Sequence, residues 1–359
     1  MRRVVTKKLV PGMVLADNVY TYNSNQLVLP KGFVLDDKAI TKLAFYSIIN
    51  VLIDEKTVSP DIATVPDTRS YSERLRDTPE FKEFKSDFED CASNFKNVIT
   101  DIVRNNKPLV VNDLVSPIYS LISKGKGPSN IFDMIHSLRS YDDATYTHCI
   151  NVALISNIIG QWLKLSDEDI SIATQAGLLH DIGKLLIPGE IITKPAKLTP
   201  AEYSIVQTHP QQGYQILRDL PISEHVKNAA LMHHERSDGS GYPLHLHGSQ
   251  IDTFARIVSV ADVYDAMTSA RVYRGPLCPF IAIQMFETEG LHKYDPNVIL
   301  TFLQNIVNTY LLNKVRLNDG SEGEIVFINR DHLAKPTIKC ADKYIDLSIK
   351  HNLYIETIL

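Results

Sequence analysis

The segment LLHDIGK at residues 178–184 sets a histidine beside an aspartate, His180 and Asp181, near the middle of a chain of 359 residues. Around it, residues 130 to about 310 contain one predicted helix after another. The capping box Thr199-Pro200-Ala201-Glu202, with proline at the first helical position, is typical of a helix start. The region has neither β-α alternation nor a glycine-rich phosphate loop. The sequence therefore predicts a mainly α protein with an all-helical core.

Further histidines and aspartates occur at places where these helices could converge. They lie in Tyr146-Thr147-His148, Thr208-His209-Pro210, Met232-His233-His234-Glu235 and Val260-Ala261-Asp262-Val263-Tyr264-Asp265. Neutral imidazoles combined with carboxylates suit first-row divalent metals such as Fe, Mn, Zn or Ni. Adjacent helical residues project about 100° apart, so His180 and Asp181 can reach two neighbouring metals. Two metals about 3.5–4 Å apart can clamp a phosphate and activate a bridging hydroxide, which indicates phosphoester chemistry.

Each of these signals also has a structural interpretation. A lone histidine such as His148 is more often a satisfied core or surface residue than a ligand. His180 and Asp181 could form a hydrogen-bonding pair at a helix end. Lys184 favours the functional interpretation, because it follows Asp181 by three residues and its ammonium can reach the same opening to meet a phosphate oxygen.

Taken together, the motifs closely resemble the HD-GYP subgroup of the HD phosphohydrolase superfamily. The resemblance rests on LLHDIGK at 178–184, His209-Pro210, HHERSDGSGYP at 233–243, ARIVSVADVYDAMT at 255–268 and RVYR at 271–274. It covers roughly residues 130–310, about half of the chain. The N-terminal module and the C-terminal β extension also look like segments attached to this family's core, less distinctively.

The resemblance implies a phosphodiesterase that hydrolyses the bacterial second messenger cyclic di-GMP to linear pGpG, GMP or both, through a metal-bridging hydroxide. The cytoplasm is the expected location, because Pro11 and Gly12 interrupt the basic N-terminus before the apolar core of a signal peptide can form. Two divalent ions, Fe or Mn, are the implied cofactors. The implied metal ligands are His148, His180, Asp181, His209, His233, His234 and Asp262, with Asp181 bridging the ions. Lys184 would bind a phosphate or stabilise its developing charge.

The same resemblance implies which residues contact the substrate. Arg271 and Arg274 match positions that hold the ligand's phosphates or guanine, and Asp265 could orient a guanine edge or act behind the ligands. The loop ending in Gly241, Tyr242 and Pro243 either contacts substrate or a partner, or is a structural turn that holds His233 and His234.

One position departs from the family pattern. Members with three metals carry a glutamate four residues before the first histidine, where this chain has Ala144. Alanine cannot ligate, which favours a two-metal site and pGpG as the main product. Asp143 could reach inward only if the helix starts irregularly there.

The remaining sequence divides into accessory segments. Residues 1–55 are predicted to form a small α/β or β-rich module, 56–70 a linker, 71–129 connecting helices, 130–312 the catalytic domain and 313–359 a short β extension. Within the first module the sequence predicts short extended runs at 13–15 and 26–29, a hairpin turn at 23–25, a helix near 37–46 and a strand at 50–53. Within the last segment it predicts strands at 314–317, 323–328, 337–340 and 344–347. Apolar residues recur in a heptad seam over residues 81–102. That helix either pairs with its copy in a homodimer or packs along its own domain. The 1–55 module is either a structural cap or a site for a signalling partner.

Composition narrows the classes of protein further. Hydrophobic residues make up 44% and charged residues 22%, which excludes a disordered or collagen-like chain. The net charge of −5 disfavours a nucleic-acid polymer as partner. The four cysteines form no C-x-x-C pair, which is typical of a reducing compartment. The longest apolar stretch, at 152–159, is too short and too polar for a bilayer, so no membrane association is expected.

Two other functions remain open at this stage. The same site could hydrolyse another cyclic dinucleotide, such as cyclic GMP-AMP. The chain could instead be a non-catalytic receptor for cyclic di-GMP. A receptor of this kind would be recognised in the sequence by the loss of metal-ligand residues. None of the seven ligand positions is lost.

Overall fold

The computed structural model describes residues 1–20, 27–54, 71–105, 110–125, 128–138, 144–194, 196–269, 277–341 and 343–359. It forms two compact units. The first combines the two ends of the chain, Met1–Arg74 and Tyr310–Leu359, and the second is Leu75–Thr309. In these ranges no helix is both long and apolar enough to cross a membrane.

The first unit begins with a small α/β module. Its elements are β1 (Arg2–Val5), β2 (Val19–Tyr20), β3 (Leu27–Leu29), α1 (Asp37–Phe45) and β4 (Asn50–Ile53). β1 pairs antiparallel with β4, and β2 with β3. The predicted helix near 37–46 and strand at 50–53 are confirmed. The run at 13–15 forms only isolated bridges, such as Val14 with Val34, and the predicted turn at 23–25 lies outside the described residues.

The end of the chain completes this unit with a five-stranded sheet. Its strands are β5 (Lys314–Leu317), β6 (Glu322–Phe327), β7 (Thr337–Cys340), β8 (Lys343–Asp346) and β9 (Ile355–Ile358). They are all antiparallel, in the order β8-β7-β6-β5-β9. The sequence predicted the first four strands and missed β9. The rings of Phe45 and Phe327 stack with centroids 4.3 Å apart, so α1 lies against this sheet.

The second unit is helical, which confirms the predicted fold class. Its described helices begin with α2 (Tyr71–Asp77), which the unit shares with the first, and continue as α3 (Pro79–Asn105), α4 (Val111–Lys124), α5 (Pro128–Leu138), α6 (Ala144–Trp162), α7 (Asp167–Leu179), α8 (Gly189–Ile192), α9 (Pro200–Val206), α10 (His209–Leu217), α11 (Glu224–Met232), α12 (Thr253–Thr268), α13 (Pro279–Met285), α14 (Leu291–Lys293) and α15 (Pro296–Ile306). The predicted capping box is present: Thr199 Oγ1 accepts from the backbone N–H of Glu202, and the Glu202 side chain accepts from that of Thr199.

Two helices form the centre of this unit. α6 and α12 are buried along most of their length and pack against each other and against α7. A helix that is apolar on all sides is stable only when neighbours surround it. Polar side chains on these two helices are therefore costly unless they find partners, and both helices carry residues of the predicted site.

The heptad seam is covered within the chain. Phe81, Phe84, Phe88, Cys91, Phe95 and Ile102 are buried on α3. α3 packs against α4, α5 and α6. This burial matches the alternative in which the helix packs along its own domain.

Candidate metal centre

The seven predicted ligand residues meet at one place in the helical unit. His148 comes from α6, His180 and Asp181 directly follow α7, His209 begins α10, His233 and His234 directly follow α11, and Asp262 lies on α12. They form two groups, each with ligand atoms within 4.8 Å of one another: Asp181, His209, His233 and His234, and then His148, His180 and Asp262. Helices far apart in sequence therefore contribute to one site.

Asp181 lies between the two groups. Its Oδ1 is 3.2 Å from Nε2 of His209 and 3.6 Å from Nε2 of His233. Its Oδ2 is 3.3 Å from Nε2 of His180 and 3.7 Å from Nε2 of His148. Each carboxylate oxygen thus faces a different group, which is the arrangement a bridging ligand requires.

Backbone carbonyls orient three of the imidazoles. In His180, Nδ1 donates to the carbonyl oxygen of Gly177 at 2.8 Å. In the same way, Nδ1 of His209 donates to Val206 O at 2.7 Å, and Nδ1 of His233 donates to Ala230 O at 3.0 Å. A carbonyl oxygen only accepts, so the hydrogen-bond pattern assigns the proton to Nδ1. Nε2 of each ring therefore presents a lone pair to the centre, as a metal ligand does.

A carboxylate orients the fourth imidazole. Asp265, fully buried on α12, has its Oδ2 2.7 Å from Nδ1 of His148. Its Oδ1 accepts from Nδ2 of Asn151 at 3.0 Å and from Oγ of Ser269 at 2.9 Å. Two roles were considered for Asp265, contact with a guanine edge and support of a metal ligand. The geometry matches the second, because both carboxylate oxygens of Asp265 contact protein groups.

Burial and charge set the ionisation of the ligands. Burial lowers the pKa of His209, His233 and His234, so these rings are neutral. Burial alone would raise the pKa of Asp181, but His180 and Lys184 outweigh it and hold that pKa well below its usual value. Neutral imidazoles beside an ionised carboxylate are the donor set that divalent cations select.

Unsatisfied atoms support the same conclusion. Nε2 of His180 and Oδ1 of Asp181 are buried without a hydrogen-bond partner among the described residues. Buried polar atoms of native proteins are nearly always paired, so an unpaired ligand atom in each of the two groups indicates bound ions. The five imidazoles and two carboxylates therefore fit metal binding.

Lys184 is the more exposed partner of Asp181. It belongs to a 3-10 turn, Ile182–Leu186, and its ammonium donates to Oδ2 of Asp181. The Lys184 side chain is 20% exposed, whereas the Asp181 side chain is 1% exposed. The cation can therefore meet an incoming anion without leaving the carboxylate.

Gly183 lets this turn approach α10 closely. A Cβ at this position would lie 2.0 Å from the carbonyl oxygen of His209 and 2.5 Å from the backbone nitrogen of Gly213. Real Cβ atoms do not come that close to other atoms, so only glycine fits. The glycine beside the His-Asp pair thus positions His209 relative to Asp181.

The loop at 241–243 packs against the ligands. The ring of Tyr242 stacks on that of His234 with centroids 4.7 Å apart. A Cβ on Gly241 would lie 2.5 Å from the carbonyl oxygen of His234. Glu235 is 2% exposed, and its carboxylate accepts from the backbone N–H groups of Leu244 and Leu246 at 2.6 and 3.0 Å. These contacts match the structural interpretation of the loop, with Pro243 directly after the stacked ring.

Some predicted residues are not settled by this geometry. Arg271 and Arg274 lie outside the described residues, as does Asp143. Ala144 is the first residue of α6. Sequence reasoning missed Asn151 and Glu235. The only signals were that Asn151 follows His148 by three residues on one helix and that Glu235 directly follows the paired histidines.

Comparisons with known proteins agree with this geometry. A family model described as HD domain matches residues 98–298. A cyclic di-GMP phosphodiesterase of Pseudomonas aeruginosa is 36% identical over 230 residues, which is 64% of this chain and 54% of that protein. The cyclic di-GMP phosphodiesterase response regulator of Xanthomonas campestris pv. campestris is 36% identical over 168 residues, covering 45% of this chain and 44% of that protein.

A relative with a different named substrate also matches. A 3'3'-cGAMP-specific phosphodiesterase of Vibrio cholerae serotype O1 is 38% identical over 148 residues, covering 41% of this chain and 32% of that protein. The chain spans about half the length, or less, of these curated relatives.

Proposed function

We propose that this chain, which belongs to the HD domain family and its HD-GYP subgroup, is a metal-dependent phosphodiesterase that hydrolyses cyclic di-GMP to linear pGpG. The observation that carries the proposal is Asp181, whose two oxygens face two separate groups of ligand atoms. That arrangement suits two divalent ions, Fe or Mn, sharing one carboxylate.

The ligand residues divide between the two ions. Asp181, His209, His233 and His234 would hold one ion, and His148, His180 and Asp262, with the second oxygen of Asp181, would hold the other. Divalent ions held there would polarise the scissile phosphate and generate a nucleophile from water at neutral pH.

The chain itself supplies orientation and charge. The carbonyl and Asp265 contacts hold the Nε2 atoms in place before substrate arrives, which lowers the reorganisation needed during the reaction. Lys184 stabilises the negative charge that develops on the phosphate oxygens. Arg271 and Arg274 are proposed to hold the substrate, because they match family positions that do so.

The product follows from the number of ions. Ala144 has a methyl group where a third-metal ligand would be needed, so the proposed centre has two ions. We therefore expect hydrolysis to stop mainly at pGpG.

A second substrate is supported by a specific observation. A relative that is 38% identical over 148 residues is named for 3'3'-cGAMP, so this cyclic dinucleotide is the alternative substrate. The receptor alternative has less support, since all seven ligand residues are present and converge.

Product analysis tests the proposal. The protein is purified without oxygen, loaded with Fe(II) or Mn(II), and given cyclic di-GMP or 3'3'-cGAMP in parallel, with products separated by chromatography. His180→Ala and Asp181→Ala should lose both turnover and bound metal, because an open ligand position lowers metal affinity. His292→Ala is the matched control, since His292 is exposed on α14.

Each outcome bears on a separate part of the proposal. Metal-dependent conversion of cyclic di-GMP that stops at pGpG supports it in full. Conversion through to GMP contradicts the two-metal argument from Ala144, and faster hydrolysis of 3'3'-cGAMP overturns the substrate. Normal turnover and metal content in both ligand variants would refute the site.

A further inference from the structure

A cavity of about 600 Å³ lies within the unit formed by the two chain ends, and its lining includes none of the residues of the metal centre. One wall is α1, with Ile40 and Phe45. A second is the chain around the end of β1 and the start of β4, with Lys7 and Ile49. The third is one face of the sheet, with Val326 on β6. The volume is in the range of sites for small molecules.

A row of side chains crosses the sheet wall. In the strand register Glu324 on β6 lies opposite Lys339 on β7, and Lys339 lies opposite Tyr344 on β8. Residues directly opposite each other in a sheet share a face, and all three line the cavity. A carboxylate, an ammonium and a phenol therefore stand in one line at the edge of an apolar space.

The carboxylate of Glu324 has unused bonding capacity. In the part of the chain that the structure describes, no ion pair or hydrogen bond joins it to another residue. Burial raises its pKa, and the nearby charges of Lys339, of Arg74 and of Lys314, which lies opposite it on β5, oppose that rise. A half-buried carboxylate without a partner is costly, so a cationic group placed beside it would be stabilised.

The remainder of the cavity is apolar and partly open. Val5, Ile49 and Tyr344 line it and are 47%, 65% and 59% exposed. Large apolar side chains gathered around one concave space are unfavourable in water and mark a binding site. Lys7 and Lys339 are also exposed, so two ammonium groups stand at the rim.

We propose that this cavity binds a small zwitterionic ligand of the amino-acid type. Its apolar body would lie between α1 and the sheet, its ammonium beside Glu324, and its carboxylate beside Lys339 and Lys7. A simple cation would be repelled by the two lysines, and a simple anion would leave Glu324 without a partner. Only a ligand with both charges satisfies the two kinds of side chain.

Three fluorescent probes test the proposal on the full chain. Nε-dansyl-lysine carries an apolar ring system with a free ammonium and carboxylate, dansylcadaverine lacks the carboxylate, and 6-(dansylamino)hexanoate lacks the ammonium. Dansyl emission is followed as each is titrated. Nε-dansyl-lysine should bind saturably with one site and more tightly than either of the others.

Variants identify the side chains involved. Glu324→Gln keeps the shape of the side chain and should weaken Nε-dansyl-lysine binding about tenfold or more, since it removes a charge-assisted hydrogen bond. Ala44→Phe should also weaken it, because Ala44 lines the cavity. The matched control is Glu356→Gln, an exposed position on β9 of the same sheet that does not line the cavity.

Two results would overturn the proposal. The first is the absence of saturable binding by Nε-dansyl-lysine, or binding no tighter than that of the single-charge probes. The second is equal affinity in the wild type and Glu324→Gln. Thermal unfolding of each variant checks that it is folded, and the metal centre plays no part in this assay.

Discussion

Nε2 of His209 lies 3.2 Å from Nε2 of His233. The Nδ1 atoms of both rings donate to backbone carbonyls, and burial lowers the pKa of both rings. Two neutral rings of this tautomer point their lone pairs at each other. Such a contact is repulsive by itself and becomes favourable when a cation is placed against both nitrogens.

This pair should therefore couple metal binding to stability. With Mn(II) at about a hundred times its dissociation constant, mass action adds about 2.7 kcal/mol to the free energy of unfolding. For a unit of this size, Mn(II) should raise Tm by roughly 5–10 °C above that of the chelator-treated protein. His209→Ala and His233→Ala should lose the rise, whereas His292→Ala should keep it. An equal rise in all four proteins would contradict the assignment of this pair.

Asp265 gives a second prediction, which concerns positioning. Asp265→Asn replaces one acceptor by an NH₂ group, which must then face either Nδ1–H of His148 or the donors of Asn151 and Ser269. Two donors facing each other misorient the His148 ring. We expect metal affinity to fall about 10–100-fold, as measured by Mn(II) titration. Asp167→Asn, at an exposed position in the first turn of α7, is the control and should bind Mn(II) normally. Unchanged affinity in Asp265→Asn would show that His148 keeps its orientation without the carboxylate.

The sequence was a better guide to the candidate metal ligands than to the residues that position them. Histidine and aspartate carry their chemistry in their own side chains, so the motifs that contain them, and the family resemblance those motifs carry, were enough to name the seven candidate ligands. The role of Glu235 depends on N–H groups nine and eleven residues later, which no local pattern reveals. Asp265 was ambiguous for the same reason, since its partner His148 is 117 residues away.

The fold shows the same division between local and distant information. Caps and helix periodicity depend on neighbouring residues, and the capping box at Thr199 was predicted correctly. The union of the two chain ends in one unit depends on contacts such as Phe45 with Phe327, which are far apart in sequence. β9 was missed because it is only four residues long, IETI, at the edge of its sheet.

Glu235 gives a third prediction, about the loop that covers the ligands. Glu235→Gln turns one of two buried acceptors into a donor that faces a backbone N–H. An unsatisfied buried group of this kind costs about 1–3 kcal/mol. We expect that loss in urea denaturation, together with weaker metal binding as Tyr242 loses its position over His234. Glu190→Gln, at an exposed position in α8, should change neither quantity. Equal stability of the two variants would mean that the loop is held by other contacts.

Gly183 and Gly189 give the last prediction, a matched pair of alanine substitutions six residues apart. A Cβ on Gly183 would overlap the carbonyl oxygen of His209 at 2.0 Å, whereas a Cβ on Gly189 meets nothing within 4 Å. Backbone atoms cannot move aside as a flexible side chain can, so Gly183→Ala must push the 182–186 turn away from α10. Overpacking of this kind costs about 1–3 kcal/mol.

The two variants should also differ in metal binding. Displacing the turn separates Asp181 from His209, so Gly183→Ala should lose Mn(II) affinity as well as stability. Gly189→Ala should match the wild type in both, because alanine there fits the helix without contact. Thermal unfolding with and without Mn(II) measures both quantities in one experiment. If Gly183→Ala is destabilised but binds Mn(II) normally, the glycine serves only packing; if it is as stable as Gly189→Ala, the turn does not lie against His209 as closely as described.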